Sequence, residues 1–210
     1  MQLAQLDLDQ INNELRDKEP TAILRWALSL NVPTILTTSF GYNSAVSLHM
    51  LAETDASVPV VWVDSGYNAK DAYVVAEKLM TDLNLNMHIY NPLQSAERRA
   101  AVLGVPSSDE PEFATFTEQV KLEPFKRALD ELKPQVWISG IRKEETEHRQ
   151  NLDIVSIDNQ GILKVAPIFC WSEDQVEAYM AEHNLPNCKH YFDPTKVAEH
   201  AECGLHTLPA

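Results

Sequence analysis

Residues 34–50 read TILTTSFGYNSAVSLHM, and this stretch decides the fold class of the chain. The β-branched run at its start predicts a short strand, and the apolar spacing at its end predicts a helix. The loop between them carries hydroxyls, a glycine and an asparagine. Backbone amides at a helix start have no partner inside the helix, so this loop is a candidate anion site. Ordinary capping of the helix by Asn43 or Ser44 explains the same residues as well.

The stretch is the first of several strand-helix units. Its loop has neither the glycine-lysine pair of the Walker loop nor the dinucleotide fingerprint, so neither of those families is indicated. The predicted strands are 34–38, 58–63, 87–90 and 136–139, and the helices between them are 43–54, 69–83 and 112–133. Alternating strands and helices require crossover connections. We therefore expect a three-layer α/β fold, with an open, mostly parallel sheet and helices on both faces.

Both flanks of this core also carry clear patterns. The flanking predictions are two helices within 3–30 that break near Glu19-Pro20, a hairpin or edge addition formed by 154–157 and 163–166, and a helix from the N-cap Ser172 to about His183. The hairpin rests on the turn-like residues between its strands, and the last helix on its acidic first turn.

The composition restricts the class of protein. Of 210 residues, 17 are Lys or Arg and 31 are Asp or Glu, which gives a formal charge of −14. Such a charge argues against a protein that coats nucleic acid or an anionic membrane. An anionic ligand needs a local basic patch, and nine of the 17 basic residues lie between Arg98 and Arg149. A chance cluster on solvated helix faces is the alternative.

Targeting signals and cysteine usage point to the cytoplasm. No apolar run has the roughly 18 residues of a membrane span, and the polar N-terminus does not resemble a signal peptide. The three cysteines, Cys170, Cys188 and Cys203, are an odd number. One reactive thiol is therefore favoured over a disulfide framework.

Two further loops follow predicted strands. Residues 63–67, VDSGY, combine an acid, a hydroxyl and a glycine that permits close backbone approach to a ligand. Residues 139–149 contain Arg142 and Arg149, which could hold an anion bidentately, and Lys143, which would act as a point charge. A plain turn and a solvated Glu–Arg helix are the alternatives. Because parallel strands end at one edge of a sheet, the three loops together predict an anionic nucleotide pocket.

With these segments, the sequence resembles the phosphoadenylyl-sulfate (PAPS) reductase family, within the adenine nucleotide α-hydrolase-like superfamily. The resemblance keeps the family's order and covers most of the chain from about residue 34. It is carried by TTSFGYNSAVSLHM (37–50), VWVDSGYNAKDAY (61–73), KLEPFKRAL (121–129), ISGIRKEETEHRQNL (138–152), KVAPIFCWSEDQVEAYM (164–180) and ECGLH (202–206).

The resemblance implies a thioredoxin- or glutaredoxin-dependent reduction of PAPS to sulfite and adenosine 3′,5′-bisphosphate in sulfate assimilation and cysteine biosynthesis. Cys203 would be the nucleophile that becomes S-sulfonated, with His206 beside it. The substrate contacts would be Ser39, Phe40, Gly41, Asn43, Ser44, Asp64, Ser65, Gly66, Lys121, Gly140, Arg142, Lys143 and Arg149. Thiolate suits this chemistry because it is the strongest soft nucleophile that a protein side chain provides.

The resemblance also implies how the chain is divided, its oligomeric state and its cofactors. We expect one domain over 1–210, with N-terminal helices at 1–30, a nucleotide-binding core at 34–183 and a mobile catalytic tail at 184–210. Family members are commonly homodimers. No metal or bound cofactor is expected: related enzymes that act on adenylyl sulfate hold an iron-sulfur cluster on four cysteines, and this chain has three.

The tail departs from the family pattern. Residues 184–201 contain no Gly-Asp-x-His-Ser/Thr motif with its following arginine, and Lys189, His190 or Lys196 could substitute for it. Four alternatives stay open: a cluster-free adenylyl-sulfate reductase, an ATP pyrophosphatase, a catalytically silent nucleotide binder, or a zinc-binding homologue. The zinc ligands would come from Cys188, His190, His200, Cys203 and His206. Cys170 is predicted to be a buried core residue.

Overall fold

The computed structural model describes residues 3–196, and its centre is one six-stranded sheet. The strands are β1 (Thr34–Thr38), β2 (Val60–Val63), β3 (Met87–Tyr90), β4 (Val136–Ile138), β5 (Val155–Ile157) and β6 (Leu163–Val165). Their order across the sheet is β3-β2-β1-β4-β6-β5. The neighbours from β3 to β6 are parallel, and β5 pairs antiparallel with β6. The predicted mostly parallel sheet and the hairpin at its edge are confirmed.

Helices connect the parallel strands. They are α1 (Leu8–Leu15), α2 (Pro20–Ser29), α3 (Ser44–Asp55), α4 (Lys70–Asp82), α5 (Ala96–Leu103), α6 (Phe113–Thr117), α7 (Glu123–Leu132) and α8 (Glu173–Glu182). A π-helical turn, Glu118–Leu122, joins α6 to α7, and short 3-10 helices cover Leu3–Gln5, Lys143–Glu145 and His148–Asn151.

The core has two layers because successive residues of a strand point to opposite faces of the sheet. In β1, Leu36 packs on the face that α2, α3 and α8 cover, whereas Ile35 packs on the face that α7 covers. Both side chains are 1% exposed. The sheet is therefore held from both sides, and the loops at its edge rest on a rigid base.

Two helical segments differ from the sequence expectation. α5 was not predicted, since Arg99 is its one buried residue and it shows no apolar stripe. The region predicted as one helix over 112–133 contains the π-helical turn, where Lys121 is buried. Such turns are frequent at functional sites. Within residues 3–196, no helix has the length and apolar character needed to cross a membrane.

Candidate active site

The three loops that the sequence singled out lie at one edge of the sheet. β2, β1 and β4 are neighbours, and the loops follow their carboxyl ends. β1 lies at the point where the chain turns from one half of the sheet to the other. Ligands of open α/β sheets bind at such a point.

The loop after β1 is held by strained backbone and a buried ring. Phe40 has φ +49° and Asn43 has φ +61°, a left-handed conformation that costs energy for residues other than glycine. The Phe40 side chain is 0% exposed, and its ring meets Trp62 edge-on at a centroid distance of 4.9 Å. The ring of Phe40, a predicted substrate contact, is thus buried in the core, and the Phe40 amide donates to Thr38 Oγ1 at 3.1 Å.

Helix capping does not explain the polar residues of this loop. Asn43 lies at the N-cap of α3, but its carboxamide donates to Glu173 Oε1 at 2.8 Å and accepts from Asn187 Nδ2 at 3.1 Å. The Ser44 hydroxyl donates to the Gly41 carbonyl at 2.9 Å. Neither side chain caps the helix, so that explanation is wrong. Ser39, another predicted contact, is exposed beside them.

The loop after β2 is organised by Asp64. Its Oδ1 accepts hydrogen bonds from the amide of Gly66 (3.0 Å), Asn68 Nδ2 (2.9 Å) and the Tyr73 hydroxyl (2.7 Å). Burial, together with the Asp64 hydrogen bond, raises the pKa of Tyr73. Gly66 has φ +80°, and a Cβ there would lie 2.9 Å from the Cβ of Ala96. Asp64 and Gly66 therefore shape this loop, and the buried Ser65 lies between them.

The loop after β4 brings basic residues to the same edge. Arg142 is 4% exposed and forms ion pairs with Glu144, Glu145 and Glu173. Arg149 is 8% exposed and pairs with Glu145. A buried guanidinium needs such partners, because an uncompensated charge is costly inside a protein. The exposed Lys143 lies between them in sequence.

Gly140 allows this loop to approach α3. A Cβ at Gly140 would lie 2.8 Å from the hydroxyl oxygen of Ser47, so a side chain does not fit there. The Ser47 hydroxyl is buried and has no hydrogen-bond partner among residues 3–196. Ser47 is a candidate site residue that the sequence analysis missed.

Lys121 projects from the π-helical turn and meets the C-terminal segment. It is 8% exposed and forms an ion pair with Asp193, and its ammonium donates to Thr195 Oγ1 at 3.1 Å. Burial of Asp193 acts to raise its pKa, but the charge and hydrogen bond of Lys121 outweigh that effect. The pKa of Asp193 is therefore lowered.

Residues 187–196, here called the strap, lie across the loop after β1. The Tyr191 ring packs so closely on Gly41 that a Cβ at Gly41 would lie 2.7 Å from it. Asp71 Oδ2 accepts from the amides of Lys189 (3.0 Å) and His190 (2.7 Å). Asp71, Tyr191 and Asp193 were missed in the sequence, and no local pattern marks them. The strap thus covers part of the predicted pocket.

Of the two cysteines within residues 3–196, Cys170 differs from expectation. Cys188 is 1% exposed, and burial raises the pKa of its thiol. Cys170 is exposed, so the prediction of a core residue is wrong: Phe169, one residue earlier, takes the buried position in the turn before α8. Cys203 and His206, the predicted catalytic residues, lie outside the described residues, as does His200.

A cavity of about 230 Å³ opens beside the carboxyl ends of β4 and β6. Ser139, His148 and Lys164 supply polar groups to its wall. The Lys164 ammonium lies 4.7 Å from the centroid of the Trp137 ring. No three His, Cys, Asp or Glu residues within 3–196 are placed to hold a metal ion.

Comparison with known proteins gives a consistent result. The family model described as "Phosphoadenosine phosphosulfate reductase domain" matches residues 33–194. A phosphoadenosine 5′-phosphosulfate reductase from Synechococcus sp. is 35% identical over 182 residues, which cover 85% of this chain and 78% of that protein. The protein of the same name from Vibrio vulnificus is 36% identical, covering 85% and 69%.

A solved structure agrees with these relatives. The phosphate complex of phosphoadenylyl-sulfate (PAPS) reductase from Candida auris has a TM-score of 0.77 and 30% identity, covering 87% of this chain and 88% of that one. Candida glabrata FMN adenylyltransferase in complex with ATP has a TM-score of 0.53 and 15% identity, covering 75% and 48%. The second likeness concerns the fold alone.

Proposed function

This chain belongs to the phosphoadenosine phosphosulfate reductase family, and we propose that it transfers the sulfonate group of its nucleotide to Cys203. It is an oxidoreductase of sulfate assimilation that reduces PAPS to sulfite. One observation supports placing the reaction at this edge of the sheet. The three loops meet there beside Lys121, Arg142 and Arg149, and the strap, which precedes Cys203 in the sequence, lies across the loop after β1.

In the first step, the Cys203 thiolate attacks the sulfur of the sulfonate group. A bond forms between the two sulfur atoms, and the bond from that sulfur to the bridging oxygen breaks. The oxygen keeps the electron pair and leaves on adenosine 3′,5′-bisphosphate. The products of this step are the nucleotide and an S-sulfonated cysteine, a covalent intermediate that divides the reaction into two easier steps.

In the second step, a thiolate of thioredoxin or glutaredoxin attacks Cys203. Sulfite leaves with the electron pair of the S–S bond, and a mixed disulfide remains. The second thiol of the donor then attacks this disulfide, which restores the Cys203 thiol and oxidises the donor by two electrons.

The residues at the edge have distinct proposed roles. The loop after β1, with Ser39, Gly41, Asn43 and Ser44, binds the phosphosulfate end, and Asp64, Ser65 and Gly66 lie on the nucleoside side. Lys121, Arg142, Lys143 and Arg149 contact the anionic groups. A free thiol has a pKa of about 8.5, so Cys203 needs positive charge nearby to ionise at neutral pH. His206 is the proposed catalytic neighbour of Cys203.

Several wider properties are part of the same proposal. The enzyme works without an iron-sulfur cluster, because its three cysteines cannot supply four thiolate ligands. The chain acts as one domain in the cytoplasm, with the core at 34–183 and the catalytic tail at 184–210. Homodimerisation is supported by exposed apolar side chains on and near the edge strand β3: Ile89, Leu93, Val102, Leu103 and Val105.

Sulfite release tests the proposed function. The purified protein is given PAPS or adenylyl sulfate, with reduced thioredoxin, reduced glutaredoxin or neither. We expect sulfite from PAPS when a donor is present, none from Cys203→Ser, and undiminished release from the matched variant Cys170→Ser. Full activity of Cys203→Ser would exclude the cysteine mechanism, and preference for adenylyl sulfate would reassign the substrate.

A further inference from the structure

The strap is fastened at three places, which are the loop after β1, the start of α4 and the π-helical turn. At the first of these, the Tyr42 hydroxyl also donates to the Lys189 carbonyl at 3.3 Å. Asn187 Oδ1 accepts from the amide of Asn43 at 3.1 Å, in the loop after β1. Asp71, in the first turn of α4, accepts from two strap amides. The third point is the ion pair of Lys121 and Asp193 in the π-helical turn. The strap is therefore held by Asn43 and Lys121, which are two of the proposed substrate contacts, and by Asp71 at the start of α4.

The third point is the most buried. The Lys121 and Asp193 side chains are 10% and 7% exposed. Thr195 completes the contact, because its hydroxyl accepts from the Lys121 ammonium at 3.1 Å and donates to Asp193 Oδ1 at 2.6 Å. Its amide also donates to Asp193 Oδ1 at 3.0 Å. A buried ion pair with these added hydrogen bonds holds a fixed geometry, whereas exposed pairs exchange readily with water.

Within residues 3–196, this contact is the last hydrogen-bonded anchor between the strap and the rest of the fold before Cys203. Cys203 follows Thr195 by eight residues and His190 by 13. Without the Lys121 contact, Asp71 would hold the last anchor, and the number of residues from that anchor to Cys203 would rise from eight to 13. For a flexible tether, the effective concentration of the tethered group falls roughly as the −3/2 power of tether length, and this change in length would then correspond to about a twofold loss. The strap would also no longer start the chain to Cys203 in a fixed direction. This would slow the reaction further, because a small misplacement of a reacting group lowers its rate.

We propose that Asp193 is a positioning residue for sulfonate transfer: it docks the strap on Lys121, so that the chain to Cys203 starts beside the substrate's anionic group. This inference rests on the proposed role of Cys203. Lys121 then joins substrate binding to placement of the nucleophile. Asp193 itself touches neither the substrate nor the reacting sulfur.

Asp193→Asn tests the proposal, because it removes the charge and keeps the shape. The matched control is Asp82→Asn, which breaks an exposed ion pair with Lys78 on α4. Two quantities are measured: the single-turnover rate of Cys203 sulfonation by PAPS, and the Kd of adenosine 3′,5′-bisphosphate. We expect Asp193→Asn to slow sulfonation by about twofold or more and to change the Kd by less than about twofold. Asp82→Asn should change neither quantity.

A second readout does not depend on activity. Phe192 is 57% exposed, and the bond after it lies between two anchors of the strap. Chymotrypsin should cut there faster in Asp193→Asn than in the wild type, and faster also in Lys121→Met, in which the cleavage site is unchanged. Thr195→Val, which removes the hydroxyl, should shift both readouts in the same direction if Asp193→Asn does not fold.

The outcomes separate the possible errors. A wild-type rate in a variant whose strap is cut faster would overturn the positioning role alone. Tighter nucleotide binding without slower sulfonation would do the same, because it would make Asp193 a competitor of the substrate for Lys121. A wild-type protein that is never sulfonated would overturn the proposed function, and the positioning role with it.

Discussion

Two buried cations at the site, Lys121 and Arg142, are neutralised in different ways. Lys121 is paired with Asp193, whose side chain is 7% exposed. Arg142 is paired with Glu144 and Glu173, whose side chains are 49% and 50% exposed. The carboxylates on Arg142 reach water, so they can give way to the anionic groups of a ligand at small cost. The carboxylate on Lys121 cannot leave without uncovering a buried charge.

The contrast separates a permanent contact from an exchangeable one. The sequence alone predicts that Lys121 and Arg142 both contact the anionic groups of a ligand. Their partners indicate that Lys121 stabilises the strap, whereas Arg142 is paired with acidic side chains that reach water. On the proposed function, the anionic groups of the nucleotide would take the place of those side chains.

The largest expected difference between Lys121 and Arg142 concerns the stability of the folded protein. Lys121→Met should lower the free energy of unfolding by about 3–5 kcal/mol, because Asp193 is left buried without a partner. Arg142→Met should lower it by only about 1 kcal/mol, because the released carboxylates are solvated. Urea titration of both variants measures the difference. Equal losses would show that the two pairs are energetically alike.

An intermediate effect is expected on nucleotide binding. Arg142→Ala should weaken the binding of adenosine 3′,5′-bisphosphate by about 1.5–3 kcal/mol, the range for a hydrogen bond to a charged group. Isothermal titration calorimetry measures this, with Arg16→Ala as the control because Arg16 pairs with Asp153 outside the three loops. An unchanged affinity would remove Arg142 from the site.

The smallest expected effect is an increase in nucleotide affinity when an acidic partner of Arg142 is neutralised. Glu173→Gln removes an exchangeable carboxylate from Arg142, so it should tighten binding of the same nucleotide by up to about 1 kcal/mol. Glu177→Gln, an exposed change on the same helix, is the matched control. Weaker binding in Glu173→Gln would mean that this carboxylate positions Arg142 and does not compete with the ligand.

Much of the fold could be predicted because local sequence patterns indicate its strands and helices. The strands at 34–38 and 87–90 have the predicted bounds, and the hairpin and the capped helix after Ser172 are present. α5 was missed because its residues other than Arg99 show no buried face. Cys170 was placed in the core because its neighbours are apolar, but the turn before α8 points it outward.

The site was predictable only in part, for a related reason. The three loops follow strands, so their convergence could be inferred from sheet topology. The acidic partners and the strap could not, because they depend on contacts between distant residues: Lys121 and Asp193 are 72 positions apart, and Asp71 and His190 are 119 apart. No periodicity links such pairs. Ser47 was missed because it lies inside an ordinary helical pattern.

The most direct test of the account is the mass of the intact protein after incubation with PAPS and no reductant. We predict an increase of about 80 Da, one sulfonate group, in the wild type, as expected for a covalent intermediate. The adduct should form in Cys170→Ser and Cys188→Ser, be absent in Cys203→Ser, and disappear when reduced thioredoxin is added. An adduct on Cys170 or Cys188, or none at all despite tight nucleotide binding, would contradict the assignment of Cys203 as the nucleophile.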